Sequence, residues 1–174
     1  MIISRTPLRI SFFSGGSDMP NFYEKEKGAA LSVTINKYIY VMMHKTPHLG
    51  IKIMYDTIEE FPDLETMQHA ITRESLKHFG IDKEVTIASI ADILAKGSGL
   101  GSSSAFTIGL VNVLANPDQH SSLVSREYLA QTAYMIEREL CKYPVGKQDQ
   151  YASAYGGMNL FEFHKDDSVE IKPL

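Results

Sequence analysis

Apolar and polar positions alternate at the start of the chain, with Leu8, Ile10 and Phe12 out of phase with Arg9, Ser11 and Phe13. A period of two marks a half-buried strand, so Leu8, Ile10 and Phe12 are expected to face the core and Arg9 to point away from it. The strand breaks at Ser14-Gly15-Gly16-Ser17. A short helix is expected next, capped by Ser17 or Asp18, with Pro20 in its first turn and Gly28 at its end. From Leu31 to Met43 the odd positions Leu31, Val33, Ile35, Ile39, Val41 and Met43 are apolar, interrupted by Lys37. They predict one long strand or two in line. Pro47-His48-Leu49-Gly50 reads as a turn, with Ile51–Tyr55 pairing back as a hairpin.

The period then lengthens. Leu64, Met67, Ile71 and His78/Phe79 keep helical spacing up to Gly80, and Val85, Ile87 and Ser89 return to strand spacing. Phe106, Ile108, Leu110, Val111, Val113 and Leu114 make a helix apolar on most sides, hence buried, and Asn116-Pro117-Asp118 ends it. A further helix is expected from about Ser125 with the stripe Leu129, Ala133, Ile136 and Leu140. Lys142–Gly146 is a break, Gln148–Tyr155 a short helix stopped by Gly156-Gly157, and Met158–His164 with Val169–Lys172 a hairpin turning at Asp166-Asp167. Strands and helices in this order favour an α+β fold over a doubly wound parallel sheet.

Composition narrows the classes. At 174 residues the chain is about one domain's worth, taking ~150 residues per domain. Its apolar share of 44% and charged share of 22% are those of an ordinary globular core and surface. A net charge of -4 with no lysine–arginine block argues against nucleic acid as the main partner. Cys141 is the single cysteine and cannot form an internal disulfide, which fits a reducing cytoplasm. No signal peptide and no membrane-spanning stretch is expected, so the expected location is cytoplasmic. His44 and His48 flank Pro47 at a strand end and do not make a zinc site.

Chemistry concentrates in Gly97-Ser98-Gly99-Leu100-Gly101-Ser102-Ser103-Ser104, which runs directly into the apolar helix. Glycines let the backbone approach a ligand, and the first helix amides are unpaired at the positive end of the dipole. That is either a phosphate socket or a tight strand–helix connection capped by serines. A Walker loop would have Lys after its last glycine and a dinucleotide fingerprint would have Gly at position 102; Ser102 matches neither. Asp149, opening the helix after Gly146-Lys147-Gln148, is placed either to take a proton from an attacking hydroxyl or simply to suit the helix dipole. Glu137 on the flank of its stripe is either a Mg²⁺ ligand shared with a serine hydroxyl or a salt-bridging partner of Arg138. Arg9 beside a glycine turn suits phosphate charge, and Asp18 suits a sugar hydroxyl or a helix cap.

Thr6-Pro7-Leu8-Arg9 leading to Gly15-Gly16-Ser17-Asp18, then Gly97–Ala105, then Gly146-Lys147-Gln148-Asp149-Gln150-Tyr151, resemble the GHMP kinases in wording and order. Within them the chain is similar to the sugar-kinase branch that contains heptose 7-phosphate kinases, over nearly its whole length. The resemblance implies an N-terminal GHMP domain over residues 1–174, with a mixed or antiparallel sheet, packed helices and a left-handed β-α-β crossover. It implies ATP and Mg²⁺, a sugar or sugar phosphate as acceptor, and transfer to the anomeric hydroxyl. It implies that Gly97–Ser104 holds the ATP phosphates, that Ser103 (Ser104 next) and Glu137 hold Mg²⁺, and that Asp149 is the base. Arg9 then lies at the transferred phosphate, and Gly16, Ser17 and Asp18 at the sugar.

Two positions depart from that pattern: Ser14 stands for a usual glycine and Ala95 for a usual proline. The chain ends without the family's further glycine-rich motif, so the C-terminal domain is expected to be absent. Fucose or galactose 1-kinase activity, or a silent nucleotide-binding domain, are the alternatives. A substrate phosphate would call for a cationic pocket, with Lys147, Arg5 and Lys45 as candidates. Oligomeric state is not legible.

Overall fold

The computed structural model describes residues 1–47, 50–93, 98–116 and 124–174. Gly97, Ala95 and the centre of the turn expected at His48-Leu49 lie outside these residues, as do Pro117 and Asp118. Among the described residues, seven strands form one mixed sheet with helices packed on it, the α+β arrangement expected. Its spine is β2 (Gly28–Lys45), paired antiparallel along its length with β1 (Ile2–Phe13). The first part of β2 pairs with β6 (Met158–Phe163), which continues to β7 (Val169–Pro173). The last part pairs with β5 (Val85–Ala91), which runs parallel to β3 (Ile51–Met54).

β2 is one strand whose inward face changes parity. Ala30 and Ser32 are buried in its first part and Ile39, Val41 and Met43 in its second. Ile51–Tyr55 does not pair back on β2 as expected. β3 instead forms a hairpin with β4 (Ile58–Phe61), a strand too short and charged (Glu59, Glu60) to stand out in the sequence.

β1 departs from its alternation. Leu8 is buried, but Ile10 and Phe12 are 40% and 53% exposed, while Arg9 is buried. The cause is a register shift between Pro7 and Arg9. Leu8 alone lies between them on β1 while Ile35, Asn36 and Lys37 lie opposite on β2, and past this irregularity the buried face of both strands changes parity. Pro7, which has no amide to give the ladder, is the residue type that bulges accommodate.

The helices are α1 (Pro20–Tyr23), α2 (Ala70–His78), α3 (Ser102–Ala115), α4 (Arg126–Met135) and α5 (Gln148–Tyr155). α1 takes no side-chain cap from Ser17 or Asp18, and Gly28 opens β2 rather than closing α1. α2 starts later than the spacing of Leu64 and Met67 predicts, because His69 caps it by accepting the Thr72 amide. Ser125 caps α4 through the Tyr128 amide. At Ile136–Leu140 the chain widens into a π-helical turn, closed by the Cys141 amide on the Ile136 carbonyl. That turn rotates Leu140 out of its stripe, to 41% exposed, and turns Glu137 inward.

α3 lies at the centre, with Ala105, Ile108, Leu110, Val111, Val113 and Leu114 packed against Leu8, Val41 and Ile87. Burying apolar area of this kind contributes about 25 cal/mol per Å². Gly109 lets the helix approach the sheet: a Cβ there would sit 2.9 Å from Val41 Cγ2 and 3.1 Å from Thr6 Oγ1. Gly109→Val is therefore expected to overpack this contact and destabilise by about 1–3 kcal/mol, read from the urea midpoint. An unchanged midpoint would contradict the close approach.

Candidate active site

The bulge at Pro7 is what brings Arg9 to the helix side of the sheet. Its Nε and Nη2 both donate to Asp149 Oδ1, at 2.9 and 2.6 Å, and its Nη1 donates to the Gly99 carbonyl at 2.7 Å. Its backbone amide donates to the Leu100 carbonyl at 3.1 Å. One side chain thus ties the glycine loop to the start of α5. Gly99 and Gly101 hold left-handed φ of 69° and 71°, and a Cβ on Gly101 would press on the Arg9 side chain at 3.2 Å. The loop needs glycine there for conformation and for room.

After Gly101 the chain enters α3 through Ser102, Ser103 and Ser104. Ser103 is exposed and Ser104 buried. The Ser104 hydroxyl donates to Glu137 Oε2 at 2.9 Å, and Gln150 Nε2 donates to the same oxygen at 2.8 Å. Glu137 is 1% exposed, and its Oε1 is buried without a hydrogen-bond partner among the described residues. Glu137 does not pair with Arg138, which donates to the Val145 carbonyl. The structure therefore brings Glu137 to Ser104 and leaves Ser103 facing outward. A buried carboxylate oxygen with open lone pairs, beside a hydroxyl, fits the donor set of a hard cation such as Mg²⁺.

The turn after β1 meets α5 from the other side. Asp18 Oδ2 accepts the Gln148 amide at 3.1 Å, and Oδ1 accepts from the Ser14 hydroxyl at 3.4 Å. A Cβ on Gly146 would fall 2.1 Å from Asp18 Oδ2, so only glycine permits this approach. Gly16 takes a left-handed φ of 82° with open space around it. The Ser17 hydroxyl donates to the Ala29 carbonyl at 2.7 Å, which binds it to β2.

Three contributors were not legible as site residues. Gln150 supports Glu137, and its alternation with Gln148 around Asp149 on a helix start was the available signal. Gln148 is buried, accepting from the Ser11 hydroxyl at 3.1 Å and reaching Asp149 Oδ1 at 3.4 Å. Ser11 joins them only because of the bulge. Lys147, a candidate for holding a substrate phosphate, is instead buried and ion-paired with Asp167 at 2.6 Å. Its ammonium is engaged by the Asp167 carbonyl and carboxylate together.

Burial pushes both Glu137 and Asp18 above the usual carboxylate range, in each case against hydrogen bonds that pull the other way. The folded state thus holds the Glu137 proton more tightly than the unfolded chain, whose ordinary value is 4.5. The resulting stability is present below that value and is lost as pH rises through the folded value. Glu137→Gln, uncharged throughout, is expected to flatten the fall in Tm between that pH and neutrality. A pH–Tm curve parallel to the wild type would contradict the burial.

Comparison with known proteins shows the family and the fold. The family model described as GHMP kinases N terminal domain matches residues 65–157. D-glycero-alpha-D-manno-heptose 7-phosphate kinase of Campylobacter jejuni is 32% identical over 191 aligned positions, covering 99% of this chain and 54% of that protein. The crystal structure of a D-glycero-D-manno-heptose 1-phosphate kinase from Bacteriodes thetaiotaomicron superposes with a TM-score of 0.85 at 28% identity, over 100% of this chain and 60% of the other. The phosphomevalonate kinase of Streptococcus pneumoniae, solved with phosphomevalonate and AMPPNP, shares the fold with a TM-score of 0.77 at 15% identity, over 99% of this chain and 59% of that one. The chain spans a little over half the length of these relatives. Among the described residues, no helix is long and apolar enough to cross a membrane.

Proposed function

The chain belongs to the GHMP kinases, and on that premise we propose that residues 1–174 form the N-terminal domain of an ATP-dependent sugar kinase. The acceptor we infer is D-glycero-D-manno-heptose 7-phosphate, phosphorylated on its anomeric hydroxyl to the 1,7-bisphosphate. The 32% identical relative carries that substrate in its name. The observation that carries the reading is the Arg9 bridge, which holds a glycine-loop carbonyl and Asp149 on one guanidinium.

Loose phosphoryl transfer leaves a protein mostly positioning and charge stabilisation to supply. The loop from Gly97 to Ser104, followed by the α3 amides, cradles the ATP phosphates at a helix N-terminus. Asp149 orients the sugar hydroxyl and takes its proton as the oxygen attacks the γ-phosphorus and the bond to ADP breaks. Arg9 places a permanent cation where charge spreads in that transition state. Asp18, with Gly16 and Ser17 shaping its turn, faces the acceptor; Ser17 contributes through β2 rather than by a free hydroxyl.

Glu137 and Ser104 would hold Mg²⁺, with Ser103 as the outward hydroxyl. When bound, the ion would neutralise phosphate charge. The protein is read as acting in the cytoplasm.

A coupled ADP-release screen over heptose 7-phosphate, fucose, galactose and mevalonate tests the reading. Release with heptose 7-phosphate above the others is expected. Release with none of the four would remove the kinase assignment, and release with galactose or fucose alone would replace the acceptor.

A further inference from the structure

Behind α5, away from the phosphate loop, a lysine is buried where none is needed for solubility. Lys147 is 4% exposed. Its Nζ donates to the Asp167 carbonyl and to Asp167 Oδ1, both at 2.6 Å. It also lies over the rings of Tyr23 and Tyr134, at 5.0 and 5.4 Å from their centroids. The Tyr23 hydroxyl donates to the same Asp167 Oδ1 at 2.7 Å. Asp167 itself holds a left-handed φ of 69°, uncommon outside glycine. Burying the Lys147 ammonium costs desolvation, and its attraction to a carboxylate 70% exposed to solvent returns only part of that cost. Its use is better sought in what it fixes.

What it fixes is the entry to α5. The Lys147 amide donates to the Asp18 carbonyl at 3.3 Å, and the Lys147 carbonyl accepts the Tyr151 amide at 3.2 Å. Lys147 is therefore the hinge residue between the Asp18 turn and the helix that opens with Gln148 and Asp149. Tyr23 anchors α1, which follows the Asp18 turn, on the same aspartate. The tip of the β6–β7 hairpin thus braces the two segments that carry Asp18 and Asp149.

We propose that Lys147 is a positioning residue for Asp149, acting through its ion pair with Asp167; its effect on catalysis rests on the kinase reading above. The clamp sets how far α5 reaches towards Arg9, and releasing it lets Asp149 drift from the guanidinium. A misplacement of about 1 Å costs on the order of a hundredfold in rate.

The test reads the Arg9–Asp149 pair directly, through the Arg9 Nε–H signal in a nitrogen-edited NMR spectrum of the full chain. Lys147→Met is expected to move that signal towards the position of a solvent-exposed arginine while the buried Leu110 and Val111 amides stay in place. Lys147→Arg is expected to keep it near the wild-type position. Asp167→Asn, at a residue whose side chain is 70% exposed, gives the same shift in smaller degree and decides the matter should Lys147→Met not fold. An Arg9 signal unmoved in the folded variants would overturn the proposal. With ATP and heptose 7-phosphate, turnover by Lys147→Met is expected to fall about a hundredfold with the KM for ATP within about twofold of wild type. Failure of the wild-type chain to phosphorylate any sugar would count against the kinase reading, whereas the Arg9 signal decides the positioning role separately.

Discussion

Asp149→Asn is expected to lower turnover by about 10²–10⁴-fold while leaving fold and nucleotide affinity intact. The asparagine keeps an Oδ1 that can accept from Arg9 Nε and Nη2, the two bonds that now converge on that atom. It keeps the α5 start in register, because the Gln148 amide is held by Asp18 rather than by Asp149. What it loses is a basic oxygen. In the present arrangement Arg9 and Gln148 all bond to Oδ1, and Oδ2 takes no hydrogen bond among the described residues. In the proposed mechanism, proton transfer falls to that second oxygen. Steady-state kinetics with a fluorescent ATP analogue as the binding control separates the two effects. Turnover undiminished in Asp149→Asn would exclude the base role.

Arg9→Lys is the second large effect, although it keeps the charge. A guanidinium offers a planar fork, and here its three donors serve two acceptors on different elements, Asp149 and the Gly99 carbonyl. An ammonium is a compact point charge on a flexible stem and does not reproduce that span. Either the Asp149 carboxylate, 32% exposed, or the exposed Gly99 carbonyl loses its arginine donor. Turnover is expected to fall about 10²–10³-fold, the range for losing one preorganised donor at a developing charge. Stability is expected to fall by about 0.5–1.5 kcal/mol, the net contribution of one hydrogen bond whose acceptor water can still reach. Both are measured on one preparation, by ADP release and by the urea midpoint. A lysine variant with native kinetics would show that the fork is not required.

How much of this was legible follows from where each residue sits. The α5 start, the glycine–serine entry to α3 and the β6–β7 hairpin are local features, and each was readable from spacing and turn residues. The juxtaposition of Arg9 with Asp149 is not local. It depends on a bulge whose only trace in the sequence is Pro7 inside an alternating run, and the alternation itself pointed Ile10 and Phe12 the wrong way. Glu137 depends on a π-helical turn, which shares its composition with an ordinary helix and so leaves no pattern to read. Asp18 has the residue type and position of a helix cap, yet its carboxylate serves α5, across 130 residues of sequence. Lys147 carries the same charge whether it meets a substrate phosphate or Asp167. Only the folded hairpin shows which.

The most direct test of the central claim follows the phosphorus itself. ³¹P NMR of ATP, Mg²⁺ and heptose 7-phosphate with the wild-type chain is expected to show a new anomeric sugar phosphate growing as ADP appears, and no such growth with Asp149→Asn. ADP accumulating with inorganic phosphate and no sugar phosphate, or the same product forming equally fast with Asp149→Asn, would contradict it.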